Sequence, residues 1–362
     1  MAVPQDTVWP ADDHTIAKHA ILRGYLDAWF GILGSTHGRV VYVDGFSGPG
    51  KYAGGEPGSP IIALEAARAH ATRFKNEVVF LFSDERADRI EHLREELAQL
   101  ELPSTFSIYA EVGRFDEFFT AQLDELDAEG DRLAPTFVFM DPFGFSGVPF
   151  ELVSRILRNP HCEVFITFMV NAVQRFLDHP ADAIREEIIR LLGSAEAPGV
   201  LASAGNRVEA VRSLYQKQLE AEAAFVRSFE IRDSPGHILY YLFFASNHRL
   251  GHLKMKEAMW GADPSGRFQF VDNTVTDQLV LLDEDPIAPL VPRLRDRFTG
   301  ETVPGGDVLD YVADNTPFVA KHAREALKRL EESAGITIDP VKSSGKKRRA
   351  GSFPRDSLIR FH

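Results

Sequence analysis

Cysteine is nearly missing from these 362 residues, Cys162 standing alone. A lone thiol excludes internal disulfides and thiolate metal clusters. Placed just before an apolar run, it reads as a small apolar residue opening a strand. Long apolar runs are missing too. Nothing approaches the ~18 consecutive apolar residues of a membrane span, and the stretch Val164 to Val170 fits a buried strand. The first residues lack the basic-then-apolar pattern of a secretory signal, which makes the cytoplasm the expected location. A hydrolase elbow is also lacking, because Gly144-Phe145-Ser146-Gly147 does not have the GxSxG spacing. Acids are missing from one segment, Val341 to Arg355, which holds Lys342, Lys346, Lys347, Arg348, Arg349 and Arg355. The chain as a whole carries −13, and −19 without those six cations. Any surface for nucleic acid is therefore local.

What is present reads as an ordinary folded protein, 44% hydrophobic and 26% charged, long enough for two domains. The apolar run Val40-Val41-Tyr42 empties into Val43-Asp44-Gly45-Phe46-Ser47-Gly48-Pro49-Gly50. Glycine takes positive φ and lets a ligand approach the backbone, so this loop after a strand predicts a nucleotide-sized ligand at the strand's carboxyl end. About a hundred residues on, Thr136-Phe137-Val138-Phe139-Met140 ends in Asp141-Pro142-Phe143-Gly144. An acid, a proline and an aromatic then stand at a second strand end.

Between and beyond these loops strands and helices alternate. Strands are expected at 39–43, 78–82, 106–110, 136–140 and 164–168, and helices at 14–33, 59–74, 86–100, 115–126 and 150–157. Such alternation demands a mostly parallel sheet covered on both faces. Residues 172–225 read as a helical insertion. Phe229 to Arg232 and Ile238 to Phe244 flank the turn sequence Asp233-Ser234-Pro235-Gly236, predicting an antiparallel hairpin at the sheet's end. The fold class expected is α/β, Rossmann-like, with seven strands and an antiparallel last one, over residues 1–282. Residues 283–362 read as a winged helix-turn-helix: short helices, a longer helix opened by Thr316-Pro317, then two strands around the basic loop. Phe318 to Leu330 would enter a groove and the Lys/Arg loop would be the wing.

Two chemistries compete for the glycine loop. Gly45 to Lys51 matches GxxxxGK, the phosphate loop of NTPases, but Tyr52 stands where a hydroxyl should meet magnesium, and the next helix waits until Ser59. The alternative is S-adenosylmethionine (SAM). Gly45, Phe46, Gly48 and Gly50 would then face its methionine part, Asp44 its amino group, and Asp84 or Glu85 its ribose hydroxyls, which are donors and need an acceptor. Arg114, Phe115 and Asp116 suit either an adenine edge or a helix start. An exocyclic amine is a poor nucleophile while its lone pair is delocalised. Asp141 and the Pro142 carbonyl could hold its two protons while Phe143 stacks on the ring. His14, Lys18 and His19 share one side of the first helix, as a solvated face or a substrate contact.

Taken together, His14-Thr15-x-x-Lys18-His19, Tyr42 to Gly50, Gly58-Ser59-Pro60, Asp141-Pro142-Phe143-Gly144, Tyr240 to Ser246 and Met255 to Trp260 resemble the three-Cys-motif partner proteins, TcmP. The resemblance runs along essentially the whole chain. It implies a methyltransferase-like fold and a separate protein carrying the three cysteines. The bacterial 23S ribosomal RNA adenine-N6 methyltransferases are more distantly similar, with an Arg-Tyr where this chain has Lys51-Tyr52 and Asp-Pro-Pro-Tyr at the catalytic turn. That similarity gives Asp141, Pro142 and Phe143 an amine-binding role and sets Lys18, Lys51 and Tyr52 near cofactor or target. Phe143 and Gly144 depart from the Pro-Tyr of that motif, so adenine does not carry over as the target.

The leading expectation is a SAM-dependent methyltransferase acting on an amine of a nucleic-acid base, with Lys346, Lys347, Arg348 and Arg349 contacting phosphates. The rivals are a non-catalytic scaffold that docks a cysteine-rich partner, a small-molecule or protein methyltransferase, and a phosphate-loop NTPase.

Overall fold

Strand β1 (Arg39–Asp44) forms where Val40, Val41, Tyr42 and Val43 have no polar face to offer, and all of them are buried. A strand buried on both faces belongs inside a parallel sheet. In this computed structural model, which describes residues 4–71, 74, 77–234, 237–263, 269–271, 285–339, 348–349 and 351–362, β1 lies between two parallel partners. One is β2 (Glu77–Asp84) and the other β4 (Thr136–Met140). Beyond β2 lies β3 (Phe106–Val112), and beyond β4 lies β5 (Glu163–Phe168), both parallel. The hairpin β6 (Phe225–Ser234) and β7 (His237–Ser246) closes this side, with β7 antiparallel to β5. The strand order is β3-β2-β1-β4-β5-β7-β6-β8. The seven expected strands are thus present, and a short β8 (Gln269–Val271) adds to β6 at the edge. Pro235 and Gly236 of the expected turn lie outside the described residues.

One face carries α1 (Asp13–Leu33), α2 (Ser59–Arg68) and α3 (Ala87–Ala98). Helix α1 buries Ile21, Leu22, Tyr25, Leu26, Trp29 and Phe30, each worth roughly 1.5–3 kcal/mol on leaving water. It also anchors a polar core: Tyr25 and Ser246 both donate to Glu163, whose carboxyl burial pushes up. The other face carries α4 (Phe115–Glu129) and α5 (Phe150–Leu157), then α6 (Val170–Phe176), α7 (Asp182–Leu192), α8 (Ala197–Ala202) and α9 (Arg207–Glu222). Helix α10 (Arg249–Ala262) follows β7 and packs on α1.

Helix α2 stops at Arg68, short of the expected Phe74. Phe74 instead turns its ring onto Phe30 and Phe106 and fills the space a side chain at Gly34 would need.

A second unit comprises Asp263 and the described residues from 285 to 362; the expected boundary at 282/283 falls outside the described residues. It holds α11 (Leu290–Phe298), β9 (Thr302–Pro304), α12 (Gly305–Asn315), α13 (Ala320–Glu332), β10 (Ile336–Ile338) and β11 (Leu358–Phe361). The strands form an antiparallel sheet in the order β10-β11-β9, as a winged helix requires. Thr316 closes α12 and does not open the next helix: its Oγ1 donates to the Val312 carbonyl at 2.6 Å and accepts from the Phe318 amide at 3.1 Å.

Candidate cofactor and acceptor site

The strand order reverses between β1 and β4, and ligands of open α/β sheets bind outside the carboxyl ends of the strands at such a point. Parallel pairing there sets Asp44 beside Phe139, so Asp141 emerges next to the glycine loop. Phe46, Gly48, Gly50, Lys51, Tyr52, Asp141 and Phe143 line one cavity, about 30 Å³. Of the glycines, Gly48 and Gly50 take positive φ, 61° and 85°. A side chain at Gly45 would strike the Phe115 ring at 2.4 Å, and one at Gly50 would meet Leu93 at 2.8 Å. Those two are glycines for the protein's own packing as much as for a ligand.

The acids beneath the loop are already engaged. Asp44 is fully buried and accepts the Phe46 amide at 3.2 Å, with the Ser59 hydroxyl also bonded to it. Burial pushes its carboxyl up to about 7 against the pull of those bonds, and the nearby Asp141 and Asp84 add to the rise. Ser59 is thus the first residue of α2, with Gly58 at the cap, and its hydroxyl serves Asp44. Asp84 accepts from the Gly48 amide at 3.2 Å and the Arg86 amide at 2.9 Å, tying β2 to the loop. Glu85 is exposed and lies 3.8 Å from Arg114, which also holds Asp116. Lys51 is turned onto Glu96 of α3, away from the place a phosphate-loop lysine would occupy.

Lys18 is buried and ion-paired with Asp141, 123 positions away, with the Tyr240 ring 5.6 Å from its nitrogen. His14, Lys18 and His19 are therefore a buried face of α1, not a solvated one. Burial and Lys18 drive His19 down to about 3, which keeps its ring neutral. Pro142 is buried and Phe143 half-buried.

Two residues without a motif also matter here: Trp9 lines the cavity and Arg89 holds Trp9 from behind. Trp9 packs edge-on against Tyr52 and Phe143, both at 5.7 Å, and the Arg89 guanidinium lies 4.6 Å over its ring. Arg89 is 3% exposed, sits 3.7 Å from Asp84 and donates to the Pro4 carbonyl at 2.9 Å. Residues 4–9 are thereby strapped across the loop. A tryptophan in an irregular stretch, and an arginine five residues past a strand-end acid, were the only sequence signals.

In the second unit, Arg348 is not a solvated wing charge. It pairs with Glu331, donates to the Ser352 carbonyl at 2.8 Å and stacks over Phe353. Arg349 is exposed, whereas Lys346 and Lys347 lie outside the described residues. Lys321, Arg324 and Lys328 are exposed on one side of α13, a cationic stripe no motif announced.

Five parallel strands followed by an antiparallel β7 inserted between β5 and β6 define a class I SAM-dependent methyltransferase fold. To its carboxyl side, residues 265–343 match the model of the GMT-like winged helix-turn-helix domain. No curated protein matches the chain. Among solved structures, the O-methyltransferase TomG of Streptomyces achromogenes, involved in tomaymycin synthesis and solved with SAM, is similar at 14% identity and a TM-score of 0.35, over 66% of this chain and 92% of that one. An O-methyltransferase of Bacillus cereus solved with SAH gives 11%, 0.34, 66% and 92%. Protein LPL1258 of Legionella pneumophila gives 12%, 0.36, 65% and 86%. The fold assignment rests on the strand order.

Proposed function

We propose that the chain is a SAM-dependent methyltransferase acting on an amine of a nucleic-acid base, working with a separate cysteine-rich protein. The observation that carries this reading is the convergence of the glycine loop, Asp141 and Phe143 on one cavity at the switch point. Gly48 and Phe46 would hold the methionine part, and Asp84, already bonded to the loop amide, would take the ribose. A cavity of about 30 Å³ is far below the roughly 300 Å³ at which ligand pockets begin, so the site accommodates the cofactor once Trp9 withdraws. When bound, SAM supplies a methyl group that leaves its sulfur with the bonding pair staying on sulfur, while the acceptor nitrogen gains the methyl and sheds a proton.

The chain's own residues do the rest. Lys18 fixes the Asp141 carboxylate in place. Asp141 and the Pro142 carbonyl hold the amine protons, keeping the nitrogen lone pair directed at the cofactor. The exposed cations of α13, with Arg349, would gather the nucleic acid.

The seat of Trp9 in the cleft also favours a second reading, a scaffold that binds no cofactor. Calorimetry with SAM and SAH separates the two, followed by transfer of labelled methyl to DNA and RNA. Heat with neither ligand supports the scaffold, and stabilisation by ATP with magnesium would instead favour the NTPase.

A further inference from the structure

Phe143 is a wall shared by two cavities. One is the cavity at the glycine loop; the other is a cleft of about 590 Å³ built by the turn after β4, the start of α6 and the first residues of β7. Its size falls within the roughly 300–1,000 Å³ of ligand pockets. In a chain of net charge −13, no aspartate or glutamate lines it among the described residues. Phe145 and Phe176 form one side, their rings 5.4 Å apart. Asn171 and Gln174 add amides, Arg175 an exposed guanidinium and His237 an imidazole bonded to Asp233 at 2.8 Å. The Asn171 amide also donates to the Ile238 carbonyl, which fastens α6 to β7 and fixes the cleft's shape.

Each component matches part of a nucleotide. Aromatic rings stack on bases in a sequence-tolerant way, side-chain amides pair with base edges, and a guanidinium binds phosphate in fork geometry. A duplex cannot enter a concavity of this size, but one extruded or unpaired nucleotide can. We infer that this cleft is the acceptor pocket and takes a single unpaired or flipped-out nucleotide, its base against Phe145 and Phe176 and its phosphate toward Arg175. This rests on the methyltransferase reading for the direction of the amine, which must pass Phe143 to reach Asp141.

The test uses the full chain and single-stranded DNA and RNA containing 5-iodouracil, irradiated with and without SAH, with cross-linked peptides mapped by mass spectrometry. Cross-links are expected within residues 143–146 and 169–176. Arg175→Ala should weaken oligonucleotide binding about tenfold and leave SAH affinity unchanged; because the side chain is exposed the fold should be unaltered, which circular dichroism checks. Phe176→Leu should reduce the cross-links while Phe176→Tyr restores them. Cross-links confined to residues 285–362, or none at all, together with an unchanged affinity of the Arg175 variant, overturn the pocket. If SAH binds and methyl is transferred in that case, only the pocket assignment falls. If SAH does not bind but the cross-links appear as expected, the cleft stands as a nucleotide site, and the methyltransferase reading falls together with the acceptor role.

Discussion

The carboxyl edge of the sheet has two sides that differ in how their polar groups are used. On the β1–β2 side the two buried acids are consumed internally: Asp44 by the Phe46 amide and Ser59, Asp84 by the Gly48 and Arg86 amides. The space left is about 30 Å³ and faces Trp9. On the β5–β7 side a cleft of about 590 Å³ is lined by aromatics, amides, an imidazole and a guanidinium. The first side is built to hold its own shape, and the second to receive something else. Asp141 and Phe143 lie at the border, which makes them the place where a change should be felt most.

The largest effect is expected at that border. Asp141→Asn should lower methyl transfer by about 10²- to 10⁴-fold while SAM affinity moves little, because the lost interaction belongs to the acceptor. Asn is chosen over Ala because its Oδ1 still accepts a hydrogen bond from the buried Lys18, although both substitutions remove the counter-charge and breaking such a pair costs about 3–5 kcal/mol. A thermal melt alongside the kinetics separates a chemical defect from a folding one. Activity within a few-fold of the parent would remove Asp141 from the mechanism.

Next comes Trp9, which distinguishes a closed site from a dead one. Its edge contacts with Tyr52 and Phe143 are each worth about 0.5–1.5 kcal/mol. Trp9→Ala should therefore tighten SAM binding by about tenfold in calorimetry. A variant that gains nothing would show that the strap does not compete with the cofactor.

How much of this was legible follows the same division. The glycine loop and Asp141 could be read because both sit at the ends of apolar strands, and parallel β1 and β4 had to bring such ends together. The pairing of Lys18 with Asp141 spans 123 positions and was visible only as a suggestion that Lys18 lies near the target. Trp9 and Arg89 were invisible: they reach the cavity through tertiary packing of an irregular segment, where no periodicity reports a face. The acceptor cleft was invisible too. Asn171, Gln174 and Arg175 look like any short helix until the antiparallel β7 is laid beside it. In the second unit the winged helix was readable from its element order, but Thr316 was misread because an ST turn that ends one helix looks like a cap that begins another.

Asp44 tests the internal character of the β1 side through pH. Its carboxyl is raised from an ordinary 3.8 to about 7, so between those values the folded protein keeps a proton that the unfolded chain has released. Stability therefore falls as pH rises through that window and is level above it. Asp44→Asn keeps the acceptor for the Phe46 amide but removes the titration, so its melting temperature should gain on the parent's from pH 4 to 7 and run parallel beyond. If Asp44 meets the cofactor's ammonium group, parental SAM affinity should rise over the same window and that of the variant should not. Parallel melting curves throughout would mean that Asp44 is ionised in the fold.

The smallest effect expected is at single cations of the second unit, where the contrast between internal and available groups recurs in adjacent residues. Arg348 is held by Glu331 and the Ser352 carbonyl, whereas Arg349 is exposed. Only an available cation can release counterions on meeting phosphate. Arg349→Ala should thus flatten the salt dependence of duplex DNA binding by up to ~0.9 log units and leave the melting temperature unchanged. Arg348→Ala should do the reverse, costing about 1–3 kcal/mol of stability through the stranded Glu331 and Ser352 acceptors with little change in salt slope. Equal slopes for the two variants would mean that Arg348 leaves Glu331 to bind nucleic acid, and Glu331→Gln would then strengthen binding by freeing it. No salt dependence in the parent would turn the exposed stripe of Lys321, Arg324 and Lys328 toward an acidic protein surface.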